Sequence, residues 1–240
     1  MTIFTHMNYS GFKECFSEQG ITLYLGDCMR LLDQTPDKYY SLCVCDPPYG
    51  IGNFIPQNLP KNGIKVSPLV EWNDSIPPED YFAELARVSE RQIIWGANYY
   101  NRFATSGGAL IWHKGNINPI FSQCEIAALS WQKRVDYVHI DWQAGFARRK
   151  EGETIHPCQK PVALYRWLLQ NYARPGDTIL DTHLGSGSSA IAAWEMGYTF
   201  TGIEIDRDYF DAAVERIKKR MSQPYLPGIV QPKPEQTSLF

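Results

Sequence analysis

Four short apolar runs each end on a carboxylate, and this repeat limits what the chain can fold into more than any other feature. Ile21–Leu25 leads to Asp27, Tyr40–Cys45 to Asp46, residues 178–180 to Asp181 and residues 198–203 to Glu204. Runs this short, rich in β-branched and aromatic residues, read as buried strands. Between the first two, residues 28–34 hold Leu31 and Leu32, enough for a turn or two of helix. Between the last two, residues 185–196 form a helix of small residues stopped by Gly197. Strand-helix-strand units of this kind bring parallel strands side by side and bind ligands at their carboxyl ends. The chain is therefore predicted to be an α/β protein, an open and mostly parallel sheet with two strand-end sites bridged by one ligand.

The remaining segments fill in that sheet. Pro77 and Pro78 open a helix carrying Phe82, Leu85, Ala86 and Ser89. Residues 93–95, 109–112 and 125–131 read as strands, the last suited to be the one antiparallel member. A helix is predicted through Val162, Tyr165, Leu169 and Tyr172. The clearest helix has Asp206 as N-cap, an apolar stripe of Phe210, Ala213, Val214, Ile217 and Met221, and Lys218, Lys219 and Arg220 in its last turn. Residues 1–221 are predicted to be a single domain without internal repeats. Residues 50–70 and 132–155 lack apolar periodicity and read as loops or insertions, and 222–240 as a flexible tail marked by four prolines.

Composition excludes several classes. With 240 residues, 44% of them hydrophobic, the chain can bury a core and is not disordered. A net charge of −3 excludes a protein spread as a basic surface along phosphates, so a nucleic acid would meet a local patch. The six cysteines contain no C-x-x-C pair and no histidine at zinc spacing, so no metal is expected and all six are read as reduced core residues. Cys43 and Cys45 alternate on a strand and point to one face. No leader or membrane span is recognised, and a cytoplasmic protein is expected.

The two strand-end sites differ in chemistry. Asp181 is followed by a turn containing His183, Gly185, Ser186 and Gly187, where the missing Cβ atoms let backbone approach a ligand closely. Glu204, ending the next strand, is placed to accept hydrogen bonds from ribose hydroxyls. This suits a nucleoside-bearing cofactor, and Gly185-x-Gly187-x-x-Ala190 even satisfies the dinucleotide fingerprint. The other site is Asp46-Pro47-Pro48-Tyr49. Its prolines fix the backbone and remove two donors, holding a carboxylate, an exposed carbonyl and an aromatic face together. Such a set suits a planar ring with an exocyclic amine, whose N–H groups Asp46 and the Pro47 carbonyl would accept while Tyr49 stacks on the ring.

Asp46-Pro47-Pro48-Tyr49 followed much later by the Asp181 to Gly187 turn resembles the DNA amino-methyltransferases that use S-adenosylmethionine, in the permuted order called the β class. Further stretches resemble the family's intermediate blocks: Gly26-Asp27, Trp95-Gly96-Ala97-Asn98, Ile111-Trp112-His113-Lys114, Cys124-Glu125 and His156-Pro157-Cys158-Gln159-Lys160-Pro161. The resemblance implies a Rossmann-like methyltransferase sheet in which Asp27 lies near the cofactor's adenine and Lys160 meets the methionine carboxylate. Asp181, His183, Gly185, Ser186 and Gly187 would wrap the methionine moiety, with Glu204 on the ribose. The family's usual Pro-Phe is Thr182-His183 here, which makes an imidazole the aromatic wall. Asp in place of Ser at the head of the catalytic motif leans towards adenine N6 over cytosine N4. A nicotinamide-dependent oxidoreductase using the glycine turn is the alternative from another class, but it leaves the double proline unexplained. A DNA-binding module without activity is a third.

Lys61 and Lys65 in the first insertion, and Arg148, Arg149 and Lys150 beside Trp142 and Phe146 in the second, are the DNA-contacting candidates. Gln236, Leu239 and Phe240 resemble the short peptides by which bacterial DNA enzymes hold the replication sliding clamp. A homodimer is compatible with this reading.

Overall fold

The computed structural model describes residues 9–12, 15–52, 74–101, 107–115, 122–142 and 154–223. In chain order these form β1 (Cys15–Glu18), β2 (Ile21–Leu25), α1 (Cys28–Gln34), β3 (Tyr40–Cys45), α2 (Glu79–Val88), β4 (Ser89–Trp95), β5 (Gly108–His113), β6 (Cys124–Leu129) and β7 (Val135–His139). They continue with α3 (Val162–Tyr172), β8 (Thr178–Asp181), α4 (Ser188–Glu195), β9 (Thr199–Glu204) and α5 (Arg207–Met221). The strands make one sheet in the order β1-β2-β9-β8-β3-β4-β6-β5-β7. Strands β2, β9, β8, β3 and β4 run parallel, as the four acid-ended runs require.

Helices cover both faces. Leu42 and Val44 of β3 pack with α3, α4 and α5 on one side, while Cys43 and Cys45 pack with α1 and α2 on the other. A strand buried on both faces needs a continuous apolar run rather than an alternating one. Helix starts follow the sequence: Asp27 caps α1 by accepting from Met29 N at 2.9 Å, and Asp206 caps α5 by accepting from Asp208 N and Tyr209 N. The fourth helix starts at Ser188, later than residue 185, because Gly187 adopts φ +72° and closes the turn first.

Several expectations are corrected. Strand β6 is antiparallel to both β4 and β5, as anticipated, but β1 adds a second antiparallel strand beside β2. Residues 135–139, read as part of a loop, form β7 parallel to β5 at the sheet edge. Only Val138 of that strand is buried, so the apolar signal is too thin to read. Ser89, read as helical, opens β4 and donates back to the Leu85 carbonyl. Trp142 is no part of an exposed reading loop: it is buried, and its indole donates to the Gln159 carbonyl at 2.8 Å. Of the cysteines only Cys43 and Cys45 are buried, whereas Cys15 and Cys158 are exposed. Lys61, Lys65, Arg148, Arg149, Lys150, Phe146 and the tail residues Gln236, Leu239 and Phe240 lie outside the described residues.

Candidate active site

Strands β8 and β3 are neighbours, so their acidic ends lie side by side where the chain's direction of travel across the sheet changes. A cavity of about 1040 Å³ opens over these ends and is lined by Asp46 to Tyr49 as well as by Asp27, His183, Gly185, Ser186 and Glu204. The Asp46 to Tyr49 motif and the glycine turn thus share one space.

At the β3 end, the backbone is pinned from outside the motif. Tyr100 Oη donates to the Pro47 carbonyl at 2.6 Å and lies 2.9 Å from that of Pro48. One lone pair of the Pro47 oxygen is therefore already used. Tyr49 Oη donates to Asp46 Oδ1 at 2.6 Å, and its ring stacks on Tyr99 with centroids 4.8 Å apart and planes at 16°. Gly96 makes this position possible. It sits at φ +78°, and a Cβ there would lie 2.4 Å from Tyr49 Cε1.

Lys160 is not placed among the glycine-turn residues. Its ammonium donates to Asp46 Oδ2, lies 3.2 Å from Tyr49 Oη and pairs with Glu125 Oε2 at 3.0 Å. Lys114 pairs with the other Glu125 oxygen at 3.0 Å. Two carboxylates and two ammoniums therefore alternate as Asp46, Lys160, Glu125, Lys114. Burial pushes the Asp46 carboxyl above the usual range, Lys160 opposing this and Glu125 adding to it. Burial opposes ionisation of Glu125 as well, but Lys160 and Lys114 outweigh it and bring its pKa down to about 2. For Lys160, burial favours the neutral amine, yet the two carboxylates win and hold the ammonium protonated above its ordinary value.

At the β8 end, Asp181 works behind the cavity wall. It is 1% exposed and accepts from His183 N at 3.0 Å and from Ser189 Oγ. It ties the turn to the start of α4, and burial raises its pKa to about 7. Gly187 likewise shapes the wall without lining it, packed under Ile217 of α5. His183 lines the cavity with its ring edge-on to Tyr81 at 5.4 Å, and burial lowers its pKa to about 4, so it is a neutral aromatic wall. Glu204 accepts from Gly185 N at 2.8 Å and Asp206 N at 3.0 Å, one bond to each carboxylate oxygen. No side-chain cation pairs with it among the described residues. Its remaining lone pairs suit hydroxyl donors, which is the chemistry of a ribose diol. Asp27 lines the same end, with Oδ1 occupied by its helix cap. Among the described residues there is no cluster of histidine, cysteine and acidic side chains able to hold a metal.

An open α/β sheet that brings the Asp46 motif and the Glu204 carboxylate into one strand-end cavity suits group transfer from a nucleoside-bearing cofactor. Residues 111–215 match the N6/N4 methyltransferase family model, described as DNA methylase. The type II methyltransferase M.BglII of Bacillus subtilis is 25% identical over 243 aligned residues, covering 80% of this chain and 68% of that protein. Among solved structures, the cytosine-N4-specific PvuII DNA methyltransferase superposes with a TM-score of 0.60 at 14% identity, over 88% of this chain and 94% of that one. A complex of M1.HpyAVI with SAM, S-adenosylmethionine, gives 0.51 at 20% identity, over 82% and 99%. The match to the N6/N4 family model includes the glycine turn on which the oxidoreductase reading rested.

Sequence reasoning singled out the strand-end acids and the glycine turn. It gave no role to Glu125, Lys114, Tyr99 or Tyr100. A signal was present for the first two, since a carboxylate inside the apolar run of β6 and an ammonium closing β5 are costly unless paired.

Proposed function

We propose that the chain transfers the methyl group of S-adenosylmethionine to the N6 amine of an adenine flipped out of DNA. The observation that carries this reading is the single cavity joining Asp46 and Tyr49 to the Gly185 turn and Glu204. Glu204 would hold the ribose hydroxyls, and His183, Gly185 and Ser186 would border the amino-acid moiety. Bound there, S-adenosylmethionine supplies an electrophilic methyl on a sulfonium.

The residues of this chain supply the rest. The amine is a weak nucleophile because its lone pair is delocalised into the ring. Asp46 accepts a hydrogen bond from one N–H, and the free lone pair of the Pro47 carbonyl accepts the other, which draws density onto nitrogen. When nitrogen gains the methyl it must lose one proton, and Asp46 is the group placed to take it. The Tyr49 and Tyr99 rings offer the base a flat apolar wall. Asp at the head of the motif supports adenine, and cytosine N4 is the competing product. Incubating unmethylated DNA with labelled cofactor, then analysing nucleosides, separates the two: labelled N4-methylcytosine would overturn the adenine assignment. Asp46→Ala is expected to abolish transfer while cofactor binding by calorimetry is retained, and undiminished transfer by that variant would sink the role of Asp46.

DNA contact by Lys61, Lys65, Arg148, Arg149 and Lys150 remains part of the proposal, as do a cytoplasmic setting and a place in restriction-modification. No helix among the described residues is long and apolar enough to cross a membrane. For the tail, Gln236, Leu239 and Phe240 are proposed to dock on the sliding clamp. A peptide of residues 231–240 should bind isolated clamp with a measurable Kd, and no binding at millimolar peptide ends that idea.

A further inference from the structure

We infer that Glu125 is a positioning residue that acts through Lys160 to keep Asp46 ready to take the amine proton, and that Lys114 sets how strongly Glu125 does so. This rests on the proposed function, and it deepens it by accounting for two charged groups that no step of methyl transfer otherwise uses.

A lone ammonium touching Asp46 would stabilise its ionised form so well that the carboxylate became a poor proton acceptor. A second carboxylate on the far side of that ammonium divides its pull. Lys160 sits between them, 4% exposed at its side chain, and reaches Glu125 at 3.0 Å. It also lies 5.3 Å from the Trp95 ring centroid and 5.7 Å from that of Tyr49, so aromatic walls fix where its charge can go. Lys114 then divides the charge of Glu125 in turn. The four groups come from separate stretches of chain: the residue after β3, the segment before α3, β6 and the residue after β5. No local sequence propensity builds such a row, and it ends on the catalytic carboxylate. The other groups close enough to influence Asp46 are Tyr49 and Tyr100 from its own side, Tyr165 on α3, Cys158 before α3 and Asp181 on β8. All are neutral or acidic, so Lys160 is the cation that presses on Asp46 and Glu125 the group that relieves it.

The test is the pH dependence of single-turnover methyl transfer by the full chain, using unmethylated amplified DNA and tritiated S-adenosylmethionine. Transfer needs ionised Asp46, so it fails on the acid side as that carboxylate protonates. Glu125→Gln removes the relieving charge and should move the acid limb to lower pH by about one unit, with a several-fold lower plateau rate from a weaker base. Lys114→Gln leaves Glu125 stronger and should move the limb to higher pH. Cofactor affinity by calorimetry should stay within about twofold in both. Displacements of opposite sign are the signature, because a merely structural role would lower rates without ordering the two limbs. Limbs that coincide with the wild type, that move together, or that vanish in a folded variant overturn the inference. Should Glu125→Gln not fold, Lys114→Gln decides alone. If the wild-type chain transfers no methyl group, the proposed function fails and not this inference, and the same ordering would be read from the Asp46 carboxyl carbon by NMR titration.

Discussion

Two histidines line the cavity, and both are held neutral by burial, His156 and His183 each with a pKa lowered to about 4. The unfolded chain takes up a proton at each as pH falls through about 6.5, while the folded chain resists until about 4, so each withdraws stability across that window on acidification. Asp181 acts in the opposite sense. Its pKa of about 7 means the fold holds a proton that the unfolded chain releases above about 3.9, which adds stability as pH falls. The His183 contribution is isolated by difference: His183→Asn should show a shallower loss of Tm than wild type between pH 6.5 and 4.5. Parallel melting profiles would mean that the imidazole is not held neutral in the fold. The strand-end acids were legible in the sequence because each carboxylate follows an apolar run, whether it then serves as a helix cap like Asp27 or holds a turn like Asp181. The partner of Asp46 was not. The resemblance makes Lys160 a ligand for the cofactor carboxylate, and only the meeting of β6 with the segment before α3 shows where its ammonium goes.

Elements fared according to how much of them is buried. Strands β2, β3, β8 and β9 and helices α2, α3 and α5 were recognisable because each commits an apolar run or stripe to the core. The edge strand β7 was not, since Val135 and Tyr137 are 59% and 61% exposed and leave Val138 as its contribution to the core. Strand β4 contributes more than its own core residues. Its last residue, Trp95, is buried, and the next, Gly96, donates to the Ile126 carbonyl of β6 at 2.9 Å while leaving room for Tyr49. Gly96→Ala is therefore expected to cost about 1–2 kcal/mol in denaturant unfolding through its left-handed backbone alone. It should also displace the Tyr49 ring and cut transfer at least tenfold with cofactor affinity intact. Wild-type turnover by that variant would show that the Tyr49 position is not needed for the reaction.

For the whole molecule, the two units of the sheet were evident from the sequence, but not their arrangement. Strand order depends on which edges meet, and no periodicity encodes that β8 lies against β3. An overall charge of −3 places any grip on DNA in local basic segments. Arg148→Ala combined with Arg149→Ala should flatten the dependence of DNA affinity on salt by about two units of slope, with cofactor affinity unchanged. An unaltered slope would remove that segment from the interface. The β8 to β3 pairing also bears on how the protein is made. Ser41 and Thr178 share hydrogen bonds across 137 residues of chain. During synthesis one edge of β3 must wait for its neighbour on the order of ten seconds at ordinary elongation rates. An open apolar edge held that long invites pairing with another nascent chain. The Asp181 turn therefore joins Asp46 only after most of the chain has been made, and translation speed and chaperone supply are expected to influence the yield of folded protein.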